Sequence, residues 1–221
     1  IGVPSFNSYE TILTTLESLS RQDYPNLRVL VSDDCSSDGS QKLIEDFVRT
    51  RENFSVIRQK QNLGLYQNLK FLVDSCSDPY FMWCASDDFL SEDFVSQNIK
   101  FLEENLDYIS SSSCPIYMYP GYEFAGPQIE LSGDLSKRLS EFAKRANWSH
   151  NIFYSLTRTS AVKEFAKLGE VFPAADWAYD IHLILRGKIN TGETGYIKFG
   201  TSGVSRSRNA NRKFTISNFD R

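Results

Sequence analysis

The chain is poor in the residues from which many active sites are built. Of 221 residues only four are cysteine, and the only histidines are His150 and His182. Cys35, Cys76, Cys84 and Cys114 form no CxxC pair, so no thiolate zinc motif or dithiol redox motif is encoded. Two histidines are too few for a multi-histidine zinc centre, and HExxH is absent. No GxSxG raises a nucleophilic serine on an elbow. GxGxxG and GxxxxGK[ST] are both missing, which removes the two glycine-rich phosphate cradles. No apolar run approaches the roughly 18 residues of a membrane span. The longest candidate, Tyr80-Phe81-Met82-Trp83-Cys84-Ala85, is strand-sized. There is no basic excess either: net charge is −4 and the pI ≈ 5.3, which argues against a nucleic-acid partner. Few cysteines suit reduced thiols and a cytoplasmic protein.

Hydrophobic residues make up 41% and charged residues 24%, the balance of an ordinary folded domain with enough apolar surface for a core. The length suits one large domain. Its expected organisation is a first half over 1–106, a second half over 107–199, and a basic, flexible tail over 200–221.

The first half alternates strand and helix. Segments 1–4, 27–31, 54–57 and 80–84 read as apolar strands. Between them Ile12, Leu13, Leu16 and Leu19, then Leu43, Ile44, Phe47 and Val48, then Leu69, Leu72 and Val73 recur at helical spacing. Phe94, Val95, Ile99 and Leu102 form a fourth such stripe, and Ser8 and Ser91 read as helix caps. This alternation predicts an α/β fold with a mostly parallel sheet covered on both faces. The second half is less regular. Segment 110–133 reads as a loop with a strand or hairpin, 135–146, 160–168 and 176–186 as helices, and 151–157 and 196–199 as strands.

Ligands of parallel sheets bind beyond the carboxyl ends of the strands. Two predicted strands end in paired aspartates, Asp33-Asp34 and Asp87-Asp88. Such carboxylates suit a hard divalent cation that keeps some waters and also binds phosphate oxygens; helix capping explains paired aspartates as well. On the helix at 176–186, Asp176 and Asp180 are four apart and share a side. They flank an expected buried stripe of Trp177, Ile181, Ile184 and Leu185.

In order along the chain, these segments resemble the family-2 glycosyltransferases. Val3-Pro4-Ser5-Phe6-Asn7 is similar to the family's IPTYN opening. Leu30-Val31-Ser32-Asp33-Asp34-Cys35-Ser36-Ser37-Asp38-Gly39-Ser40 is similar to VVDDGSTDGT, with cysteine where glycine is usual. Asn62-Leu63-Gly64 resembles the N-x-G loop, and Ala85-Ser86-Asp87-Asp88 the LDADD metal segment. Phe172-Pro173-Ala174-Ala175-Asp176-Trp177 opens a helix like the one carrying the catalytic carboxylate. The resemblance covers roughly residues 1 to 187. Three departures stand out: Ala85-Ser86 replaces a third aspartate, Ala175 replaces an acid, and Lys198-Phe199-Gly200 replaces an R-x-H strand end.

The resemblance implies a GT-A fold with a Rossmann-like sheet flanked by helices and an irregular acceptor-side second half. It implies inverting, metal-dependent glycosyl transfer, hexosyl or related, using Mn2+ or Mg2+. The donor would be a nucleotide-diphosphate sugar, UDP- or dTDP-linked, and the acceptor a glycan or glycolipid in polysaccharide biosynthesis. Pro4, Ser5, Phe6 and Asn7 would lie on the donor side. Asp34 would accept from the pyrimidine N3–H, since a carboxylate accepts only from N–H or O–H donors. Asn62, Gly64 and Leu65 would line the nucleotide pocket. Asp87 would hold the ribose or sugar beside the metal, and Asp88 would ligate the metal. Asp176 would be the general base, with Asp180 in reserve. Arg206, Arg208, Arg212 and Lys213 could fold over the diphosphate or lead to an acidic membrane surface, so peripheral association at the inner face is left open. Trp148, His150 and Tyr154 are either acceptor-cleft residues or aromatic packing. The rival expectation is a non-catalytic nucleotide-sugar-binding domain of the same fold.

Overall fold

The computed structural model describes residues 1–168 and 175–201. In chain order the elements are β1 (Gly2–Ser5), α1 (Ile12–Ser20), β2 (Val29–Asp33), α2 (Ser40–Val48), β3 (Phe54–Arg58), α3 (Leu65–Asp74), β4 (Tyr80–Phe81), β5 (Phe89–Leu90) and α4 (Phe94–Glu104). There follow β6 (Tyr108–Tyr119), β7 (Tyr122–Ala125), α5 (Leu135–Arg145), α6 (His150–Phe153), β8 (Leu156–Arg158), α7 (Thr159–Ala166), α8 (Ala175–Arg186) and β9 (Lys188–Phe199).

β1, β2 and β3 form a parallel sheet in that order. The free edge of β1 meets the segment after β4. The Gly2 N–H donates to the Met82 carbonyl at 2.9 Å, and the Cys84 N–H donates to the Gly2 carbonyl at 3.0 Å. Only a small residue fits there, because a Cβ on Gly2 would run into the Phe81 ring. The second sheet has the order β4-β8-β6-β9-β5, with β7 as a hairpin partner on β6. The expected parallel sheet is therefore only partly realised. β6 and β9 run parallel, but β4–β8, β6–β8, β5–β9 and β6–β7 are antiparallel.

Side chains alternate across a strand, and here that alternation divides two cores. Met82 and Cys84 face a core built with Val29, Val31, Ile12, Leu16 and Phe94. Phe81 and Trp83 face the opposite one, with Leu72, Ile152, Tyr179 and Leu183. Helices thus cover both faces of the strands.

The less regular half holds three surprises. Ser110, Ser111, Ser112 and Ser113 are all buried on the long central strand β6. Asn98 of α4 matches them: Ser111 Oγ donates to Asn98 Oδ1 at 2.6 Å, and Asn98 Nδ2 donates to Ser113 Oγ at 3.0 Å. Segment 151–157, read as one strand, is the helix α6 followed by the short β8. The last strand begins eight residues earlier than expected, at Lys188, since Gly192, Glu193 and Gly195 conceal its pattern. The expected serine caps also differ. The Ser8 carbonyl, not its hydroxyl, accepts the N–H groups that open α1, and Ser91 likewise receives Phe94 N–H through its carbonyl. No helix among the described residues is long and apolar enough to cross a membrane.

Candidate active site

The turns after β1 and β2 lock together at the carboxyl edge of the parallel sheet. Asp34 N–H donates to the Ser5 carbonyl at 2.8 Å. Asn7 N–H donates to Ser36 Oγ, and Ser37 N–H donates to Asn7 Oδ1, each at 2.9 Å. Asn7 and Cys35 both take positive φ, at 49° and 63°. That left-handed backbone explains why glycine is usual at the position of Cys35. Ser5 is buried, Pro4 half-buried, and Phe6 and Asn7 are exposed along the crevice rim.

Asp34 is buried, and its carboxylate closes the loop before α3. Oδ1 accepts from the Leu63 N–H at 2.7 Å and Oδ2 from the Gly64 N–H at 3.0 Å. Asn62 Oδ1 also accepts the Gly64 N–H. Gly64 has φ 81° and ψ 158°, a region essentially restricted to glycine. Each Asp34 oxygen keeps a second lone pair for a ligand. Leu65 is exposed at the start of α3. The pKa of Tyr66 beside it is raised by burial and then by the Asp176 charge, so the start of α3 lies within the field of α8.

Asp87 and Asp88 follow the bridging segment at 82–84. The Asp88 N–H closes a turn onto the Ala85 carbonyl at 3.1 Å. Asp88 is buried and its Oδ1 accepts the Gly200 N–H at 3.0 Å. The end of β9 thus meets this segment through glycine backbone, where the resembled family often places a histidine. Burial, and then the Asp88 and Asp87 charges, push the Cys84 thiol well up. The Tyr154 phenol is raised by burial and then by Asp88, Asp87, Cys84 and Asp176. Tyr154 therefore lies within the field of three site carboxylates. It packs at 5.2 Å from His150 and 5.8 Å from Phe199, centroid to centroid.

Among the described residues, no group of three or more His, Cys, Asp and Glu side chains could hold a metal. The donor set that is present is two adjacent carboxylates of hard oxygen character. That fits Mg2+ or Mn2+ bound by one or two carboxylates and completed by water and phosphate oxygens. It does not fit a closed structural metal cage.

Asp176 is exposed in the first turn of α8, and Asp180 is buried one turn on. Both line a cavity of about 210 Å³ with Ser149, His150, Phe153 and Trp177. The expected buried stripe on α8 is wrong at three of four positions. Trp177, Ile181 and Leu185 are exposed, whereas Tyr179, His182, Leu183 and Ile184 are buried. The inward face is one position out of phase because Trp83 and Phe165 pack against Tyr179, and His182 bonds the Ala161 carbonyl at 2.9 Å. That rotation is what buries Asp180. Its Oδ2 accepts the Ser149 hydroxyl at 2.6 Å. Burial, and secondarily the charge of Asp176, raise its pKa well above the ordinary 3.8, against the opposing Ser149 bond.

His150 lines the cavity, but Trp148 packs edge-on against Tyr117 and Phe124, and Tyr154 stands behind His150. Ser149, Phe153 and the Gly200 contact carried no sequence signal. Arg206, Arg208, Arg212 and Lys213 lie outside the described residues, as do Phe172, Pro173 and Ala174.

A three-stranded parallel sheet joined to a mixed second sheet, with helices on both faces, is the GT-A fold. The chain belongs to glycosyl transferase family 2, whose model matches residues 1–165. It is 32% identical over 110 residues to the amylovoran biosynthesis glycosyltransferase AmsB of Erwinia amylovora, covering 47% of this chain and 35% of that protein. The structure of Staphylococcus aureus TarS residues 1–349 in complex with UDP-GlcNAc superposes with a TM-score of 0.68 at 19% identity, over 90% of this chain and 57% of that one. The mannosyltransferase PcManGT of Pyrobaculum calidifontis, in complex with GDP-Man and Mn2+, superposes with a TM-score of 0.62 at 16% identity, over 90% and 56%. The chain spans from 18% to 50% of the length of the curated relatives it matches.

Proposed function

We propose that this chain is the catalytic domain of an inverting, metal-dependent glycosyltransferase. It moves a hexosyl or related unit from a UDP- or dTDP-linked sugar to a glycan or glycolipid acceptor. The observation that carries this reading is that one family-2 fold holds Asp34 on the 62–64 loop, Asp88 on the Gly200 N–H and Asp176 at the cavity between α6 and α8. A degenerate binding domain has no need for this set.

In this reading Pro4, Ser5 and Phe6 border the base, Asn7 lies on the donor side, and Asp34 uses its remaining lone pairs on the pyrimidine N3–H. Asn62, Gly64 and Leu65 line the nucleotide. Asp88, with Asp87 beside it, holds Mn2+ or Mg2+. The bound cation supplies positive charge against the leaving diphosphate. Asp176 takes the proton of the acceptor hydroxyl as its oxygen bonds to the anomeric carbon. The bond from that carbon to the diphosphate breaks on the opposite side, releasing the nucleoside diphosphate with inversion. Asp180 is the poorer candidate for this step, because burial favours its protonated form and Ser149 occupies one oxygen.

Residues 1–106 serve as the donor half and 107–199 as the acceptor half. The reaction is assigned to the cytoplasm, at the inner face of the membrane where a glycolipid acceptor would lie. A thermal-shift screen of nucleotide sugars with manganese tests the reading. Selective binding raises apparent stability by about 2.7 kcal/mol at 100 times the dissociation constant. Slow hydrolysis of the stabilising donor marks an enzyme; binding without turnover marks a non-catalytic domain. UDP or dTDP should compete better than GDP.

A further inference from the structure

The cavity between α6 and α8 has a chemical character of its own. Its volume of about 210 Å³ lies below the roughly 300–1,000 Å³ of pockets for drug-sized ligands, and suits one sugar unit better than an oligosaccharide. Among the described residues its charged or titratable lining is Asp176, Asp180 and His150, with no lysine or arginine. Asp180 is 1% exposed, and its Oδ1 has no hydrogen-bond partner among the described residues. A buried polar oxygen left unpaired is costly, and Asp180 is one of the residues that line this cavity. Ser149, itself buried, holds the other oxygen and so fixes the carboxyl plane. Phe153 and the exposed Trp177 add aromatic surface to the same cavity.

We propose that this cavity receives the terminal unit of the acceptor, that the Ser149–Asp180 pair positions one of its hydroxyls beside Asp176, and that the unit is an uncharged sugar rather than a phosphate-bearing one. The inference rests on the transferase reading above. A hydroxyl both donates and accepts, so it satisfies Asp180 Oδ1 whichever proton arrangement the carboxyl holds. A phosphate dianion would meet the Asp176 charge with no guanidinium or ammonium among the described lining residues to offset it. Within a mostly polar lining, Phe153 and Trp177 offer ring faces that suit the C–H face of a pyranose. Asp180 is thus a positioning and selecting residue, and Asp176 the group that touches the reacting proton.

The test measures binding by ligand-observed NMR to the full chain, with nucleoside diphosphate and magnesium present. The probes are methyl glycosides of glucose, galactose, mannose and N-acetylglucosamine, and the 6-phosphates of the same sugars. At least one neutral glycoside is expected to bind tenfold or more tightly than its phosphate. Asp180→Leu should weaken that binding tenfold or more, Ser149→Ala by several-fold, and Asp180→Asn, which keeps hydrogen-bonding capacity, by less than threefold. Equal or tighter binding of the phosphates overturns the inference. So does failure of every glycoside to bind, or less than twofold weakening in a folded Asp180→Leu. Donor hydrolysis is measured in parallel. When it is present, a negative binding result removes this inference alone; when it is absent, the transferase reading falls as well.

Discussion

Gly200 donates its N–H to Asp88 Oδ1 at 3.0 Å across 112 residues of sequence, and a Cβ on Gly200 would collide with Asp87. The end of β9 is thereby seated on the paired aspartates with no side chain between them. A methyl group introduced there must push either the strand end or Asp87 aside.

Gly200→Ala is therefore expected to cost about 1–3 kcal/mol through overpacking. That lowers Tm by several degrees, at roughly 2–4 °C per kcal/mol for a domain of this size. Divalent-metal affinity should fall with it, because Asp87 moves. Thermal melts with and without manganese check both effects, and an unchanged melt with unchanged metal response contradicts the packing argument.

Asp88→Asn is expected to remove most metal-dependent donor binding, by about tenfold or more, which corresponds to about 1.4 kcal/mol. The domain should stay folded, since asparagine still offers an oxygen to the Gly200 N–H. Isothermal titration with a nucleotide sugar and Mn2+ measures the loss. Full turnover in excess chelator counts against the metal assignment.

Asp34→Ala leaves the Leu63 and Gly64 N–H groups without their carboxylate. Losing a buried partner costs about 1–3 kcal/mol. The 62–64 loop should open locally, so amide exchange at Leu63 and Gly64 speeds up while β2 stays protected. Nucleotide affinity should weaken in parallel. Hydrogen exchange resolved by residue separates this local opening from global destabilisation.

The first half was largely legible in the chain, because the apolar runs of β1, β2 and β3 are plain and Asp33-Asp34 closes one of them. The second half was not. Ser110–113 give no apolar alternation, and it is Asn98 of α4, distant in sequence, that pairs with Ser111 and Ser113 inside the fold. The α8 stripe chosen from Trp177, Ile181 and Leu185 was a valid helical stripe, but tertiary packing of Tyr179 and His182 selected the neighbouring one. Ser149 is one serine among many until α6 brings it to Asp180.

The Asp180 pKa is raised in the folded chain, so the sign of its pH effect is fixed. Below the ordinary 3.8 both folded and unfolded states hold the proton and no penalty exists. As pH rises beyond that value the unfolded chain ionises while the folded one resists, and stability is lost until the folded pKa is passed. Asp180→Asn removes that loss. Its Tm advantage over the parent is expected to grow by a few degrees between pH 4 and pH 7, and a constant or shrinking difference across that range contradicts the burial argument.

The central claim is that Asp176 takes the acceptor proton, and the single-turnover transfer rate of Asp176→Asn against Asp180→Asn tests it most directly. The account predicts a fall of roughly 10²–10⁴ in Asp176→Asn, with donor and metal affinity near those of the parent. Asp180→Asn should keep the transfer rate near that of the parent, with the acceptor KM changed by less than threefold. If Asp176→Asn keeps its rate and Asp180→Asn loses it, the base lies one turn further along α8 and the assignment is wrong.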